Sequence, residues 1–202
     1  MSVLVSLSLA GLSAKGALVQ GTDPTFGPNS LTIDTSTDLA WLNLNYSLGL
    51  SYDQVLADTA PGGLFSGYRF ATASEVLGLY DSAGIPDNGN GYYPLGTPSI
   101  LSLISLVGPM APYQGEPSIY GLTGTTTSQG LQASAAIYAS GLNSTLEFLV
   151  TSGPGIYDFA YNPSLSSAGI GSWLVKEVPE PSVGVIAIGG LLVLTRLKRP
   201  RR

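Results

Sequence analysis

The sequence YRFATASEVLGLYDSAG, residues 68–84, contains a strand pattern followed directly by a helix pattern. Thr72 and Glu75 have the spacing of a capping box, in which each side chain accepts a hydrogen bond from the other residue's backbone N–H. Gly84 is typical of a residue that ends a helix. The apolar residues that fall on one helical face are Val76, Leu79, Tyr80 and Ala83. We therefore expect a short strand and then a capped helix.

Two further elements are predicted upstream of this segment. In LTIDTSTDLAWLNL, residues 31–44, alternating apolar residues flank a polar turn at residues 35–38, which is typical of a β-hairpin. In SYDQVLADT, residues 51–59, Ser51 and Gln54 again have capping-box spacing, which predicts a short helix. The residues expected on the apolar face of that helix are Tyr52, Val55 and Leu56.

Downstream, the pattern changes from helical to strand-like. TPSILSLISLVGP, residues 97–109, has a proline near its start and a stripe of serines, so it predicts a third helix, although its Ile and Leu run fits a strand equally well. Alternation over residues 131–140, 144–152 and 172–178 predicts three antiparallel strands. Short helices early and antiparallel strands late indicate a single α+β domain over residues 22–177.

The composition excludes several functional classes. Only 10% of the 202 residues are charged, and between residues 21 and 177 twelve acidic side chains are accompanied by only two basic ones, Arg69 and Lys176. Such an acidic surface repels phosphate backbones, so nucleic-acid binding by this domain is not expected. The chain has no histidine and no cysteine, which excludes imidazole and thiol catalysis, zinc–thiolate sites and disulfides. The sequence assigns no metal, no cofactor and no catalytic residue.

Arg69 is a candidate binding residue because it is almost the only cation of the domain. It could bind an anionic ligand. An arginine among apolar neighbours more often has a structural partner, however, and a carboxylate such as that of Glu75 is the expected one.

Other candidate ligand-binding residues lie in segments with turn-like composition. Oxygen ligands of the kind that Ca²⁺ prefers follow the second helix, although ordinary turns have the same composition: Asp81, Asp87, Asn88 and Asn90. Glu116, Pro117 and Ser118 partly match a sugar–calcium motif of lectins. Four tyrosines could form a sugar-stacking surface: Tyr92, Tyr93, Tyr113 and Tyr120.

The first residues of the chain have features of a targeting segment. Residues 1–17 combine an apolar run at 3–12 with small residues after it, which is typical of a secretory signal that lacks its basic start. Cleavage after Ala14 is favoured, because cleavage after Ala17 would leave Lys15 very close to the cut. The alternative interpretation is an N-terminal core strand.

The last residues have features of a membrane segment. Residues 181–197 contain a single charge, and as a helix these seventeen residues would cover about 25 Å of a hydrocarbon layer of roughly 30 Å. A positive tail remains cytoplasmic, so the acidic domain would lie outside the cell. The basic residues of this tail are Arg196, Lys198, Arg199, Arg201 and Arg202.

The order of parts in residues 178–202 resembles the PEP-CTERM sorting signal of exported bacterial proteins. Its motif is Val178, Pro179, Glu180 and Pro181, followed by the apolar run and the basic tail. The resemblance implies a protein held in the inner membrane by a C-terminal transmembrane helix and processed near the motif by an exosortase. It also implies a later location in the cell envelope, the biofilm matrix or the medium, with extracellular polysaccharide as a partner.

A second resemblance concerns the domain itself. The hexapeptide at residues 67–72, GYRFAT, resembles the Gly-Trp-Arg-Leu-Pro-Thr motif of a C-type-lectin-like family, and the closing strand GSWLVKEV at residues 171–178 fits the same order of elements. This resemblance implies a lectin-like fold. The resulting hypothesis is a non-enzymatic domain that contacts glycans or matrix components. The alternative is an exported carbohydrate-active enzyme that uses two carboxylates.

Overall fold

The computed structural model describes residues 17–85, 92–94, 98–108, 117–139, 145–150 and 161–178, and within 92–94, 138–139 and 145–150 it describes the backbone. The three helices of these ranges are α1 (Tyr52–Asp58), α2 (Ala73–Ser82) and α3 (Pro98–Val107). A 3-10 turn forms at Leu44–Ser47. The strands are β1 (Leu18–Asp23), β2 (Gly27–Asp34), β3 (Leu39–Leu42), β4 (Arg69–Phe70), β5 (Tyr92–Pro94), β6 (Ser118–Thr126), β7 (Gln132–Ala139), β8 (Thr145–Val150), β9 (Gly171–Ser172) and β10 (Leu174–Glu177).

The strands form two five-stranded sheets. The first has the order β1-β2-β3-β10-β4, and all its neighbours are antiparallel. The second has the order β5-β8-β7-β6-β9 and is antiparallel except where β9 pairs with β6. Helix α3 contacts β2 of the first sheet and β6 and β7 of the second. The domain is therefore a mixed α+β structure in which strands of early and late sequence share one sheet.

The chain crosses from the second sheet to the first at Trp173. The N–H of Trp173 donates to the carbonyl of Leu122 in β6 at 2.9 Å, and the Trp173 carbonyl accepts from the N–H of Ala71, next to β4, at 2.8 Å. Its indole Nε1 donates to the carbonyl of Ala135 at 3.1 Å. One residue thus bonds to both sheets, and β10 then continues between β3 and β4.

The core around this crossing is aromatic and fully enclosed. Trp173 is 0% exposed and packs edge-on against Trp41, with ring centroids 5.9 Å apart at 86°, and against Tyr80, at 6.1 Å and 81°. Edge-to-face geometry of this kind contributes about 0.5–1.5 kcal/mol per pair beyond the area buried. The three rings come from β3, α2 and the C-terminal segment, so their contact fixes these elements relative to one another.

Most of the local predictions are confirmed. The hairpin forms with Leu31 opposite Leu42, and both predicted capping boxes are present, at Ser51 with Gln54 and at Thr72 with Glu75. The segment that fitted a helix or a strand equally well is the helix α3. Within α2 the predicted face is correct, because Val76, Leu79 and Tyr80 are all buried and Ala83 is partly buried. Local sequence spacing was sufficient to predict a helix where a capping box precedes a regular apolar repeat.

Two expectations about arrangement were wrong. The strand predicted within residues 172–178 does not join β7 and β8, because Trp173 redirects it into the first sheet. Leu56 of α1 is 48% exposed and therefore does not belong to the apolar face. In a seven-residue helix, only Val55 is fully turned inward.

Close packing at Trp173 predicts the effect of adding a methyl group to Gly121. A Cβ at Gly121 would lie 2.7 Å from Cδ1 of Trp173 and 2.8 Å from Cδ2 of Leu44, which is closer than carbon atoms pack. We expect Gly121→Ala to lower the free energy of unfolding by about 1–3 kcal/mol, as overpacking of a core does. Urea unfolding followed by tryptophan fluorescence measures this effect.

The matched control is Gly78→Ala in α2. A Cβ at Gly78 meets no atom within 4 Å, and alanine is favoured over glycine inside a helix by roughly 0.5–1 kcal/mol. The same chemical change should therefore stabilise the protein slightly at Gly78 and destabilise it at Gly121. Equal unfolding midpoints for the two variants would contradict the close contact at Trp173.

Candidate functional site

The candidate site is built around β10, because this strand contains one described cation and pairs with the strand that contains the other. Val175 is opposite Arg69, and Lys176 is the next residue. The side chains of Arg69 and Lys176 are each bound to a carboxylate. These two ion pairs account for both basic residues in the described part of the chain.

Arg69 binds Glu75 through two hydrogen bonds. Its Nη1 and Nη2 donate to Oε2 and Oε1 of Glu75 at 2.9 and 2.7 Å. The hydrogen bonds from Arg69 lower the pKa of Glu75 to about 2, against the opposing effect of partial burial and with further help from Thr72. The expectation that Arg69 has a structural carboxylate partner is confirmed, and Glu75 is that partner.

The same carboxylate also begins helix α2. The N–H of Thr72 donates to Oε2 of Glu75 at 2.8 Å, and the N–H of Glu75 donates to Oγ1 of Thr72 at 3.2 Å. Because one carboxylate both caps the helix and holds Arg69, the guanidinium is fixed at the junction of β4 and α2. Its charge is thereby compensated within the domain.

Lys176 takes part in a buried cluster with Asp23 and Tyr68. Asp23 is only 3% exposed, and its Oδ2 accepts from Nζ of Lys176 and, at 2.6 Å, from the hydroxyl of Tyr68. Oδ1 of Asp23 accepts from the N–H of Thr25 at 2.8 Å. The ammonium also lies 4.7 Å from the centre of the Tyr68 ring, within the range of a cation–π interaction. The cluster joins the end of β1, the residue before β4, and β10.

The pKa values in this cluster follow from its geometry. Burial of Asp23 raises its pKa, but the hydrogen bonds from Lys176, Tyr68 and Thr25 outweigh burial, so the pKa falls to about 2. For Tyr68, burial and then the hydrogen bond to Asp23 raise the pKa far above its ordinary value. Asp23 is therefore ionised and Tyr68 is a neutral donor throughout the physiological range, an arrangement suited to holding strands together and not to proton transfer.

The sequence alone did not identify the cluster of Asp23, Tyr68 and Lys176. The two charged residues are 153 positions apart, and no local spacing relates them. The available signal was weak: Lys176 is one of only two cations between residues 21 and 177 and lies in an apolar strand pattern. A lysine in such a strand indicates a carboxylate partner without specifying which one.

Of the four tyrosines that the sequence predicts as a stacking surface, Tyr120 is the one whose side chain the structure describes. Tyr120 is 8% exposed, its hydroxyl lies 3.0 Å from Oγ of Ser134, and its ring packs edge-on against Tyr161. Tyr120 is thus a core residue, and the prediction of a sugar-stacking role for it was wrong. Tyr92 and Tyr93 lie in β5, and Tyr113 lies outside the described residues.

The predicted calcium ligands are mostly outside the described residues. Asp81 is exposed near the end of α2, whereas Asp87, Asn88, Asn90 and Glu116 lie in ranges that the structure does not describe. Pro117 is exposed immediately before β6, and Ser118 is the buried first residue of that strand. Across the described ranges, the acidic side chains do not form a group of three or more that could hold a metal ion.

The outer surface of the described domain is acidic. Four exposed carboxylates take part in neither of the two described ion pairs: Asp38, Asp53, Asp81 and Glu177. Of these, Asp53 accepts a hydrogen bond from Oγ of Ser164 at 2.7 Å. Both described cations are compensated by internal carboxylates, so the surface presents net negative charge to any partner.

Val178, the first residue of the motif that the sequence predicts to be a sorting signal, is part of the fold. The N–H of Val178 donates to the carbonyl of Asp38 at 2.8 Å, and its half-buried side chain packs against the core. Pro179, Glu180, Pro181 and the basic tail lie outside the described residues. Among the helices of the described ranges, none is long and apolar enough to cross a bilayer.

No protein-family model, curated protein or solved structure matches this chain.

The buried cluster predicts a pH-dependent effect of removing Lys176. Lys176→Met leaves the carboxylate of Asp23 buried without its cation, and we expect this to lower the free energy of unfolding at pH 7 by on the order of 3 kcal/mol. Since the pKa of Asp23 is depressed from 3.8 to about 2, its stabilising contribution is present above pH 3.8 and is lost as the pH falls towards 2. The difference between variant and wild type should therefore be smaller at pH 3 than at pH 7, as measured by urea unfolding at each pH.

A double variant tests whether removing the carboxylate of Asp23 restores the stability that Lys176→Met loses. Combining Lys176→Met with Asp23→Asn removes the buried charge together with its partner, so the double variant should be more stable at pH 7 than Lys176→Met alone. If the single variant lost equal stability at both pH values, Asp23 would not be the group that Lys176 compensates.

The shared role of Glu75 predicts a difference between two substitutions. Glu75→Gln retains an oxygen that can accept from the N–H of Thr72 but loses the ion pair, which is partly exposed, so a loss of about 0.5 kcal/mol is expected. Glu75→Ala also loses the cap and should cost about 1 kcal/mol more. Thermal unfolding of both variants measures the difference. An equal loss in both would show that Glu75 acts on Arg69 alone.

Proposed function

We propose that this chain is an exported bacterial envelope or matrix protein, sorted through its C-terminal Pro-Glu-Pro motif, membrane segment and basic tail. The order of these three parts carries the proposal, because an apolar run of membrane length next to a cluster of cations has an obvious physical use in anchoring and orienting a chain. The cations would keep the tail in the cytoplasm and the acidic domain on the outside.

The position of Val178 is compatible with a processing step at this motif. Val178 follows β10 and is bonded to the hairpin turn, so a cut beyond it would leave β10 and both ion pairs in place. An exosortase-type enzyme acting near Pro181 would thus leave the described strands and helices intact. A cut before Leu174 would instead remove a strand from the interior of the first sheet.

The charge distribution supports a non-enzymatic contact role for the domain. Arg69 and Lys176 are ion-paired with Glu75 and Asp23, and in the described ranges the exposed charges outside these ion pairs are carboxylates. Such a surface suits neutral glycans, or acidic polysaccharides bridged by divalent cations, whereas a bare polyanion would be repelled. The partner class is therefore extracellular polysaccharide or another matrix component.

Mass spectrometry of the mature protein tests the sorting proposal. The protein would be recovered from the envelope and the medium of a bacterial host with and without its exosortase. A C-terminus near Pro181 that appears only when the enzyme is present is the expected result, because the motif would be its recognition element. A chain ending at Arg202 in both strains would indicate a permanent membrane anchor and would contradict processing.

Incubation with host polysaccharide tests the role of the domain. We expect the purified domain to be retained on immobilised polysaccharide without release of soluble sugars, because no catalytic group has been assigned. Release of sugars that is lost on substitution of a single Asp or Glu would contradict a contact role and support a glycosidase.

A further inference from the structure

Both ends of the described domain meet at one short turn. Residues 35–38 connect β2 to β3, and the N–H of Ala17 donates to Oγ1 of Thr35 at 2.8 Å while the N–H of Thr35 donates to the carbonyl of Ala17 at 3.1 Å. At the other side of the turn, the N–H of Val178 donates to the carbonyl of Asp38 at 2.8 Å. The segments that precede and follow the domain therefore leave it side by side.

Covalent geometry limits how far this turn can be from the apolar segments. Val183, where the apolar run begins, is five positions after Val178, and Ala17 is five positions after Leu12. Each connection spans at most about 18 Å even when fully extended. A domain of this size has a radius of gyration of about 15 Å, so either connection is shorter than the domain is wide.

From these two observations we infer that the end of the domain formed by residues 35–38 is the face held towards the lipid bilayer. The inference rests on the proposed function in one respect, namely that the C-terminal apolar run is in a membrane. Given that, the short connection places this turn next to the lipid headgroups and turns the opposite end of the domain outwards.

The chemistry of this face fits a position beside the headgroups without insertion. All four turn residues are exposed, and three of them have uncharged hydroxyl groups: Thr35, Ser36 and Thr37. The nearby charged groups are carboxylates, with Asp38 in the turn and Asp81 beside Ser82 at the end of α2. No lysine or arginine lies among these residues to attract anionic lipid. The short chain segment between Val178 and the apolar run, and not charge attraction, would therefore keep the face at the membrane.

The turn is also held rigidly enough to act as a defined face. Oδ1 of Asp34, a buried residue, accepts from the N–H of Ser36 at 2.9 Å. Oγ of Ser36 lies 3.0 Å from Oγ of Ser82, which joins the turn to α2. Burial raises the pKa of Asp34, but hydrogen bonds from Ser36 and Ser82 outweigh this and lower it, so the carboxylate that organises the turn is ionised at neutral pH.

Site-specific labelling tests which face is next to the bilayer. The chain has no cysteine, so single-cysteine variants can be labelled without removing native thiols. Thr37→Cys places a fluorophore on the turn. Gln129→Cys is the matched control, because Gln129 is exposed in the turn between β6 and β7, next to the residues that contact the start of α2. Helix α2, which is about 15 Å long, has the turn at its last residue and β6 at its first, because Ser82 contacts Ser36 and the N–H of Ala73 donates to Thr125.

The labelled full-length chain would be reconstituted in phosphatidylcholine vesicles that contain a lipid with a nitroxide on its headgroup. We expect loss of most of the fluorescence at position 37 and little loss at position 129. The loss should persist at high salt, because tethering does not depend on charge. Flotation of the same samples on a density gradient measures membrane anchoring separately.

The two assays distinguish failure of the inference from failure of the proposed function. If the chain floats with the vesicles but position 129 is quenched as strongly as position 37, or more strongly, the assigned face is wrong while the membrane segment is retained. Quenching at position 37 that requires a co-reconstituted exosortase would also overturn the inference, because the face would then bind the enzyme. If the chain does not float, the proposed anchoring and the inference both fail.

Discussion

The whole described structure depends on the passage of the chain from one sheet to the other at Trp173. A single residue bonds to β6 through its N–H and to the segment after β4 through its carbonyl, while its ring fills the space against Trp41 and Tyr80. This arrangement requires glycine at neighbouring positions, since a Cβ at Gly121 would lie 2.7 Å from the Trp173 ring and one at Gly171 would lie 2.7 Å from the carbonyl oxygen of Leu44. The close packing around Trp173 therefore fixes the position of β3 and α2, which contribute Trp41 and Tyr80.

This constraint also affects the order in which the domain can form. β10 lies inside the first sheet, between β3 and β4, and belongs to the last eight described residues. The central pairing of the sheet therefore joins parts of the chain more than 100 residues apart. Non-local pairing of this kind requires closure of a long loop, which is entropically costly and slows folding. For a chain exported from its N-terminus, the core could close only after nearly all of it had crossed the membrane.

The charged groups reinforce the same segment. Lys176 joins β10 to Asp23 at the end of β1, and Arg69, opposite Val175, is joined to the cap of α2. The first pair joins β10 to β1, which is not its neighbour in the sheet, and the second joins β4, which is its neighbour, to α2. Both described positive charges therefore help to hold the closing strand. The remaining exposed carboxylates of the described ranges keep the surface acidic.

The sequence by itself determined most of the local elements of the described domain. Capping boxes at Ser51 and Thr72, the turn at residues 35–38 and the helical spacing of α2 depend on residues within a few positions of one another, so they can be read directly. The pairing of Arg69 with Glu75 was also accessible, because only six positions separate them.

Only the tertiary structure decided which sheet each strand joins and what Lys176 contacts. Alternation in residues 172–178 indicates a strand, but strand patterns contain no information about partners, and the partners β3 and β4 are distant in sequence. In the same way, burial of Tyr120 and the meeting of Asp23 with Lys176 arise from packing between segments that no spacing relates. Local patterns are compatible with several strand pairings, and long-range packing decides which one forms. In this protein the packing and hydrogen bonds of Trp173 direct the C-terminal strand into the first sheet.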